Sequence, residues 1–187
     1  MAGLKFRALL DTKENVEVFR DVVIPDSATF EDLFNITLKA FEFKGGQMAS
    51  FYVSNDEWDK GEEITLEDLS FGEGDAAPVM AETTVRSFIE APDQKFILVY
   101  DFIRMWIVLF ELVGYERETP EKPFIALSVG ASPKEDSRGE DETASLFAQN
   151  GGEFGEFDDE DDDELGFNDF DDDYSEEDYG SFDDYDY

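Results

Sequence analysis

Two carboxylates lie inside the longest apolar run of this acidic sequence, residues 96–113, and they are its first candidates for chemistry. Asp101 and Glu111 could serve as a general acid or base if the surrounding side chains exclude water. Arg104 and Trp106 lie in the same run and complete a candidate ligand pocket. The alternative is structural: Asp101 pairs with Arg104 at a bend, and Glu111 lies at a sheet margin. We favour this alternative, because charges in apolar segments are normally paired.

Other reactive constellations are missing from the sequence. It contains neither histidine nor cysteine, which excludes a Ser-His-Asp triad, a disulfide and the usual zinc ligands. The acidic residues 55–63 could hold a divalent cation, but their order differs from that of a calcium loop. No glycine pair is followed by the residues of a phosphate-binding loop. We therefore predict no metal and no cofactor, and we favour a non-enzymatic protein over an enzyme.

The charge distribution points to basic partners. The chain of 187 residues has a net charge of −35, and from Glu135 onward 24 acidic residues stand against one basic residue, Arg138. Such a field repels nucleic acid and anionic membrane surfaces and attracts basic proteins. The first residues lack an apolar signal core, so a cytoplasmic protein is expected. The sequence leaves the oligomeric state open.

The apolar run must itself build the centre of the fold. Three ionisable side chains within it make a membrane span costly, and its β-branched and aromatic residues favour strands. We predict two strands, residues 96–102 and 105–113, that meet at a bend near residues 103–104. Apolar residues of both parities indicate that both faces of these strands are covered, as at the centre of a sheet.

The N-terminal part predicts a hairpin followed by one main helix. Residues 4–10 and 16–24 have the composition and alternation of two strands joined by a short polar turn. Thr29 has the position of an N-cap, and the apolar spacing indicates a helix that is ended by Gly45 and Gly46. The buried stripe of this helix is predicted to contain Phe30, Leu33, Phe34, Leu38 and Phe41.

Shorter elements complete the predicted domain. Residues 47–54 and 124–129 have the pattern of strands, and the prolines before the second favour an edge position for it. Residues 64–69 fit either a short strand or a helical turn, and residues 84–89 fit a short helix. Trp58 follows an acidic loop and is expected to fold back onto the core.

The composition changes after Gly130, where few side chains remain that a core could bury. We therefore divide the chain into an α+β domain, residues 1–131, and a disordered acidic-aromatic tail, residues 132–187. Residues 153–187 contain no lysine or arginine, and their carboxylates surround nine aromatic residues: Phe154, Phe157, Phe167, Phe170, Tyr174, Tyr179, Phe182, Tyr185 and Tyr187. A solubilising brush would not need these aromatic residues, so we favour a segment that binds a basic partner.

An ordered series of short motifs resembles one known family. The motifs are residues 28–33 (Ala-Thr-Phe-Glu-Asp-Leu), residues 48–52 (Met-Ala-Ser-Phe-Tyr) with Trp58, and residues 100–102 (Tyr-Asp-Phe) with Trp106. Through them the chain resembles the plasmid pRiA4b ORF-3-like family over about residues 3–130. The resemblance implies an α+β fold with an N-terminal hairpin, one main helix and a curved, mostly antiparallel sheet. It implies no assigned biochemical role.

The chain departs from the family pattern at three positions. Relatives commonly read Tyr-Asp-Phe-Gly-Asp-x-Trp-x-His, whereas this chain has Ile103, Arg104 and Val108 at the Gly, Asp and His positions. Any polar site that relatives build from that Asp and His is missing here, which favours a binding protein. Our hypothesis is an interaction protein whose tail binds a basic partner. The alternative is a small-ligand-binding protein or an enzyme with a pocket near Asp101, Arg104 and Trp106.

Overall fold

A computed structural model describes residues 2–12, 16–68 and 77–139, which form one α-helix and a seven-stranded antiparallel sheet. The strand order in the sheet is β4-β3-β5-β6-β1-β2-β7. No helix within these residues is long and apolar enough to cross a membrane. The elements are β1 (Gly3–Leu10), β2 (Val18–Ile24), α1 (Phe30–Phe41), β3 (Ala49–Ser54), β4 (Lys60–Thr65), β5 (Lys95–Tyr100), β6 (Trp106–Glu116) and β7 (Phe124–Val129), with 3-10 turns at Val85–Phe88 and Glu135–Ser137.

The predicted N-terminal hairpin is present. β1 and β2 pair antiparallel from Leu4 opposite Ile24 to Leu10 opposite Val18. Alternate residues of β1 are buried on the helix side of the sheet, as its alternating sequence predicts. β1 also pairs with β6, so the hairpin continues directly into the centre of the sheet.

The helix begins where the sequence predicts and ends earlier. The Thr29 hydroxyl accepts from the backbone N–H of Asp32, and the Asp32 carboxylate accepts from the backbone N–H of Thr29, which forms a capping box. The helix ends at Phe41 because Glu42 adopts a left-handed conformation with φ of 61°. The predicted end at Gly45 and Gly46 is therefore wrong: an acidic residue occupies the C-terminal cap, a position that more often holds glycine.

The apolar run forms β5 and most of β6, which are the third and fourth strands in the spatial order of the sheet, as predicted for the centre of a sheet. Both faces are buried over residues 96–100 of β5 and 106–110 of β6. On the helix side the rings of Phe30, Phe51 and Phe96 pack at centroid distances of 5.1 and 5.2 Å. On the opposite side Ile97, Val99, Ile107 and Leu109 form a second set of buried residues, which we call the outer-face cluster.

Other elements differ from the predictions mainly in their bounds. β7 is an edge strand, as predicted, and β4 forms the other edge. A strand is present near the segment predicted at residues 64–69, but it begins at Lys60 and ends at Thr65, and it includes residues 60–63 of the acidic loop. Residues 84–89 contain a 3-10 turn. Trp58 packs against the outer-face cluster on the side of the sheet opposite the helix.

Residues 132–139, which we name the C-terminal strap, pack on the domain although the sequence analysis assigned them to the tail. Gly130 redirects the chain with φ of 75°, and a Cβ there would lie 2.5 Å from the Glu17 carbonyl oxygen. Arg138 is only 4% exposed. This corrects the predicted boundary at residue 131 for these eight residues. The rest of the predicted tail, residues 140–187, lies outside the described part of the chain.

Candidate functional site

The turn between β5 and β6 contains the first predicted pair, Asp101 and Arg104. The Asp101 Oδ1 atom accepts from the backbone N–H groups of Ile103 and Arg104, both at 3.2 Å. Its Oδ2 atom accepts from Arg104 Nη1 at 3.0 Å. Asp101 and Met105 both have left-handed backbones, with φ of 55° and 53°. The buried carboxylate thus holds a tight turn together, which is the structural alternative proposed from the sequence.

A small depression lies beside this turn. Its volume is about 180 Å³, below the range of about 300–1,000 Å³ that is usual for ligand pockets. The Glu135 carboxylate from the strap is held on both oxygens: Oε1 accepts from the Tyr100 hydroxyl at 2.5 Å, and Oε2 accepts from the Lys44 backbone N–H at 2.7 Å. The lining residues are Lys44, Gly45, Gln47, Asp101, Arg104, Glu135 and Asp136.

The Tyr100 hydroxyl donates the hydrogen bond to Glu135 Oε1 beside this depression. Burial raises the pKa of its hydroxyl, and the hydrogen bond and charge of Glu135 raise it further. The side chain is 1% exposed, and its ring stacks on Phe43 at a centroid distance of 5.9 Å. A neutral tyrosine hydroxyl bonded to a carboxylate fixes the strap on the sheet, and this arrangement favours attachment over proton transfer.

Trp106 is buried and lies beside a second, larger groove. Its indole Nε1 donates to the Glu135 carbonyl oxygen at 3.0 Å, and the Arg138 guanidinium lies 4.5 Å from its ring centroid. Trp106 lines a more apolar groove of about 510 Å³ between the strap and the start of β2. The structure therefore brings Asp101 and Arg104 together but places Trp106 in a separate groove.

Glu111 lies far from both depressions. It is half-buried on β6, directly opposite Lys95 of β5 and Arg7 of β1. The expected position at a sheet margin is wrong, because β6 is the middle strand and continues to Glu116. The four predicted pocket residues do not form one site.

Arg138 is the main residue that sequence reasoning missed. Its guanidinium donates to the carbonyl oxygens of Met105 and Asp11, the latter at 3.1 Å, and lies 3.6 Å from Asp11 Oδ2. Burial lowers the pKa of Arg138, and the nearby Asp11 carboxylate opposes that shift. The sequence offered one signal that Arg138 has a structural role: it is the only basic residue after Lys134, among 24 acidic residues.

Arg20 fixes the other end of the strap. It is 5% exposed and donates to the carbonyl oxygens of Ala40 and Val129 at 2.9 and 2.6 Å. It also donates to the Ser132 hydroxyl at 2.7 Å. Desolvation lowers its pKa. The sequence signal that could have predicted the burial of Arg20 is its place in the strand: residue 20 lies on the same face of β2 as the buried residues Val18 and Val22.

The remaining sequence candidates give no second site within the described ranges. The acidic loop that the sequence analysis considered and rejected as a cation site contains a polar turn, in which Asn55 Oδ1 accepts from the N–H groups of Glu57 and Asp59, both at 3.0 Å. No group of three potential metal ligands occurs in residues 2–12, 16–68 and 77–139. The nine tail aromatics, from Phe154 to Tyr187, lie outside the described residues.

Comparisons with known proteins identify relatives of this arrangement. The model of the family described as plasmid pRiA4b ORF-3-like protein matches residues 3–179, well beyond the 130 residues over which the motifs were recognised. The crystal structure of a protein of unknown function from Methanosarcina mazei Go1 superposes with a TM-score of 0.61 at 18% identity, and the match covers 74% of this chain and 75% of that chain. At this identity the likeness shows the fold. None of the curated proteins compared with the chain matches it.

Proposed function

The chain belongs to the plasmid pRiA4b ORF-3-like family, and from that premise we propose that it is a non-enzymatic interaction protein. Its acidic-aromatic segment, residues 153–187, binds a basic protein partner. One observation carries this proposal: the segment holds 19 carboxylates and nine aromatic side chains without a lysine or arginine. The carboxylates attract and steer the partner, and the aromatic rings provide contact area.

The geometry around the predicted pocket supports binding over catalysis. Asp101 is engaged by two backbone N–H groups and by Arg104, and Glu135 is engaged by Tyr100 and Lys44. A general acid or base must exchange a proton with a substrate, which requires a reachable oxygen in a cleft. Here the carboxylates are used to hold a turn and the strap in place.

The charges of the first hairpin support a protein partner over nucleic acid. Asp21 lies 2.8 Å from Arg7 Nε and 3.7 Å from Lys5 Nζ, so one carboxylate partly neutralises both cations. Arg20 is buried under the end of α1. Duplex binding at physiological salt needs several cations that contact phosphates, and this hairpin offers few.

A small-ligand site is the second candidate function. The groove of about 510 Å³ beside Trp106 and Arg138 has the size of a ligand pocket, and most of its lining is apolar. This candidate differs from the first in where binding occurs. A ligand in the groove would raise the thermal midpoint of a chain that ends at Gly152, whereas a basic partner of the acidic segment would not bind that chain.

A comparison of four proteins tests the first proposal: the intact chain, a chain that ends at Gly152, a chain with the nine aromatic residues replaced by serine, and a chain with the thirteen aspartates of residues 158–186 replaced by asparagine. Each is used as bait for a cell extract, and captured proteins are identified by mass spectrometry. We expect the intact chain to capture basic proteins and the chain ending at Gly152 to lose them. Capture should weaken between 0.15 and 1 M salt as the screening length falls from about 8 to about 3 Å.

The two substituted chains distinguish attraction by the carboxylates from direct contact by the aromatic rings. The aromatic-to-serine chain keeps every charge, and the aspartate-to-asparagine chain keeps every ring. If the first retains full capture, the rings are not anchors and the segment acts as a polyanion only. If the chain ending at Gly152 captures the same proteins as the intact chain, the proposal is wrong.

A further inference from the structure

The groove of about 510 Å³ between the strap and residues 12–18, which we call the strap groove, differs in composition from the chain as a whole. None of the ten described residues that line it is acidic, whereas the chain has 49 acidic residues among 187. Two of the ten, Lys134 and Arg138, are cationic. Arg138 is buried against Asp11, so the exposed Lys134 is the lining cation that a ligand can reach. An anion therefore meets attraction here, in a protein whose overall field repels anions.

The strap groove also presents apolar side chains. Val18 and Trp106 are each 2% exposed and belong to the main core, and Val16, which lines the groove as well, is 52% exposed. The polar atom of the indole is already engaged, because Trp106 Nε1 donates to the Glu135 carbonyl oxygen. These side chains suit the apolar body of a ligand.

A buried cation lies behind one wall of the strap groove. Arg20 is 5% exposed, and its guanidinium donates to four backbone carbonyl oxygens and to the Ser132 hydroxyl. Within the described part of the chain no carboxylate forms an ion pair with it. Because buried charges are normally paired, the positive charge of Arg20 favours an anion near Ser132.

The Ser132 hydroxyl connects this buried charge to the groove. Its Oγ atom accepts from Arg20 Nη2 at 2.7 Å, so its own hydrogen is left to donate to a further acceptor. The other two hydroxyls of the described lining, those of Thr12 and Ser137, each donate to a backbone carbonyl oxygen, at 2.9 and 2.6 Å. Ser132 is therefore the hydroxyl that can donate to an anion, and Lys134, two residues further along the strap, supplies a positive charge.

We propose that the strap groove binds a small apolar ligand that carries one carboxylate. The carboxylate accepts from the Ser132 hydroxyl and pairs with Lys134, and the apolar body lies on Val18 and Trp106. The bound carboxylate also compensates the charge of Arg20 through the shared hydroxyl. This inference rests on the second candidate function given above, a small-ligand site in this groove, and adds the chemical class of the ligand.

Binding of octanoate to the full chain, followed by NMR, tests the proposal, with octan-1-ol as the uncharged probe of the same length. We expect octanoate to shift the Trp106 indole N–H and the Val18 methyl resonances and to leave the Ile64 methyl resonances, on edge strand β4, unchanged. The Kd for octanoate should be at least tenfold lower than that for octan-1-ol. Equal Kd values would overturn the proposal but leave the ligand site in place. No shift with either probe at up to about 10 mM would overturn both.

Two substitutions identify the groups that hold the carboxylate. We expect Lys134→Met to raise the Kd for octanoate to the value for octan-1-ol and to leave octan-1-ol binding unchanged, because methionine keeps the apolar part of the side chain. Ser132→Ala should likewise weaken octanoate binding only. Lys122→Met removes an exposed charge from the loop before β7 and is the matched control, which should change neither Kd. Unchanged octanoate binding in either groove variant, or equal weakening in Lys122→Met, would refute the proposal.

A dipeptide distinguishes a small carboxylic acid from the C-terminus of a peptide, which carries the same head group. N-acetyl-leucyl-phenylalanine should bind the full chain at least tenfold more weakly than octanoate, because its peptide groups would lose water against the apolar side chains of Val18 and Trp106. Tighter binding of the dipeptide than of octanoate would show that the groove takes a chain terminus, which would overturn the assignment to a small apolar acid.

Discussion

Replacing Arg138 by methionine should destabilise the domain by about 3–5 kcal/mol, the usual cost of removing one partner of a buried ion pair. The side chain is 4% exposed and Asp11 is 1% exposed, so water cannot replace the lost contacts without opening the fold. The substitution also removes the hydrogen bonds to the carbonyl oxygens of Met105 and Asp11 and the stacking on Trp106. Methionine keeps much of the length and apolar volume, so the loss reports the charge and its bonds.

Urea unfolding of the full chain measures this loss. With a slope of about 2 kcal/mol/M, the midpoint of Arg138→Met should fall by about 2 M. Arg117→Met is the matched control: Arg117 is exposed beyond β6, and its replacement should change stability by less than about 0.5 kcal/mol. The double variant Asp11→Asn with Arg138→Met should recover part of the loss, because it removes the buried carboxylate as well.

A loss of less than about 1 kcal/mol for Arg138→Met would refute the packing of the strap described above. The same reasoning predicts the effect of shortening the chain. A chain that ends at residue 131 lacks Arg138, Glu135 and Ser132, and it should unfold at a lower urea concentration than a chain that ends at Gly152. Equal midpoints for these two chains would return the domain boundary to residue 131.

Three further predictions concern the core, the helix end and alkaline pH. Trp106→Ala should cost about 3–5 kcal/mol in urea unfolding, because it removes a large side chain that is 2% exposed, and a cost below about 1 kcal/mol would contradict that burial. Glu42→Gly should raise stability by about 0.5–1 kcal/mol, since φ of 61° suits glycine, whereas Glu42→Ala should not. The raised pKa of Tyr100 favours its protonated form in the folded state. The contribution of this group to the free energy of unfolding is therefore complete below about pH 10, the pKa of tyrosine in the unfolded chain, and it is lost as the pH rises further. Stability should therefore fall between pH 10 and 11 by up to about 1.4 kcal/mol, and Tyr100→Phe should flatten this decline; an unchanged slope in that variant would contradict the assignment.

Local patterns predicted the elements whose information is contained in neighbouring residues. The N-cap needs only Thr29 and the backbone N–H of Asp32, three positions apart, and it formed as expected. The apolar run predicted two central strands because residues of both parities had to be buried, and residues 96–100 of β5 and 106–110 of β6 are all buried. The end of the helix was predicted less well, because Glu42 gives no local signal for a left-handed backbone.

The candidate site was predicted only where its members are close in sequence. Asp101 and Arg104 are three positions apart, and their ion pair follows from the need to neutralise a charge in an apolar run. Trp106 and Glu111 were grouped with them by sequence proximity alone. β6 places the Trp106 side chain on the helix face and the Glu111 side chain on the opposite face, since a strand alternates its side chains.

The sequence by itself determined the hairpin, the cap of the helix, the central pair of strands and the uneven distribution of charge, because each depends on composition or short-range periodicity. Only the tertiary structure showed that residues 132–139 pack on the sheet. Arg138 and Asp11 are 127 positions apart, and no local pattern relates them. The strap has the composition of a disordered segment, yet the buried guanidinium of Arg138 requires carbonyl and carboxylate partners that only the folded sheet brings within reach.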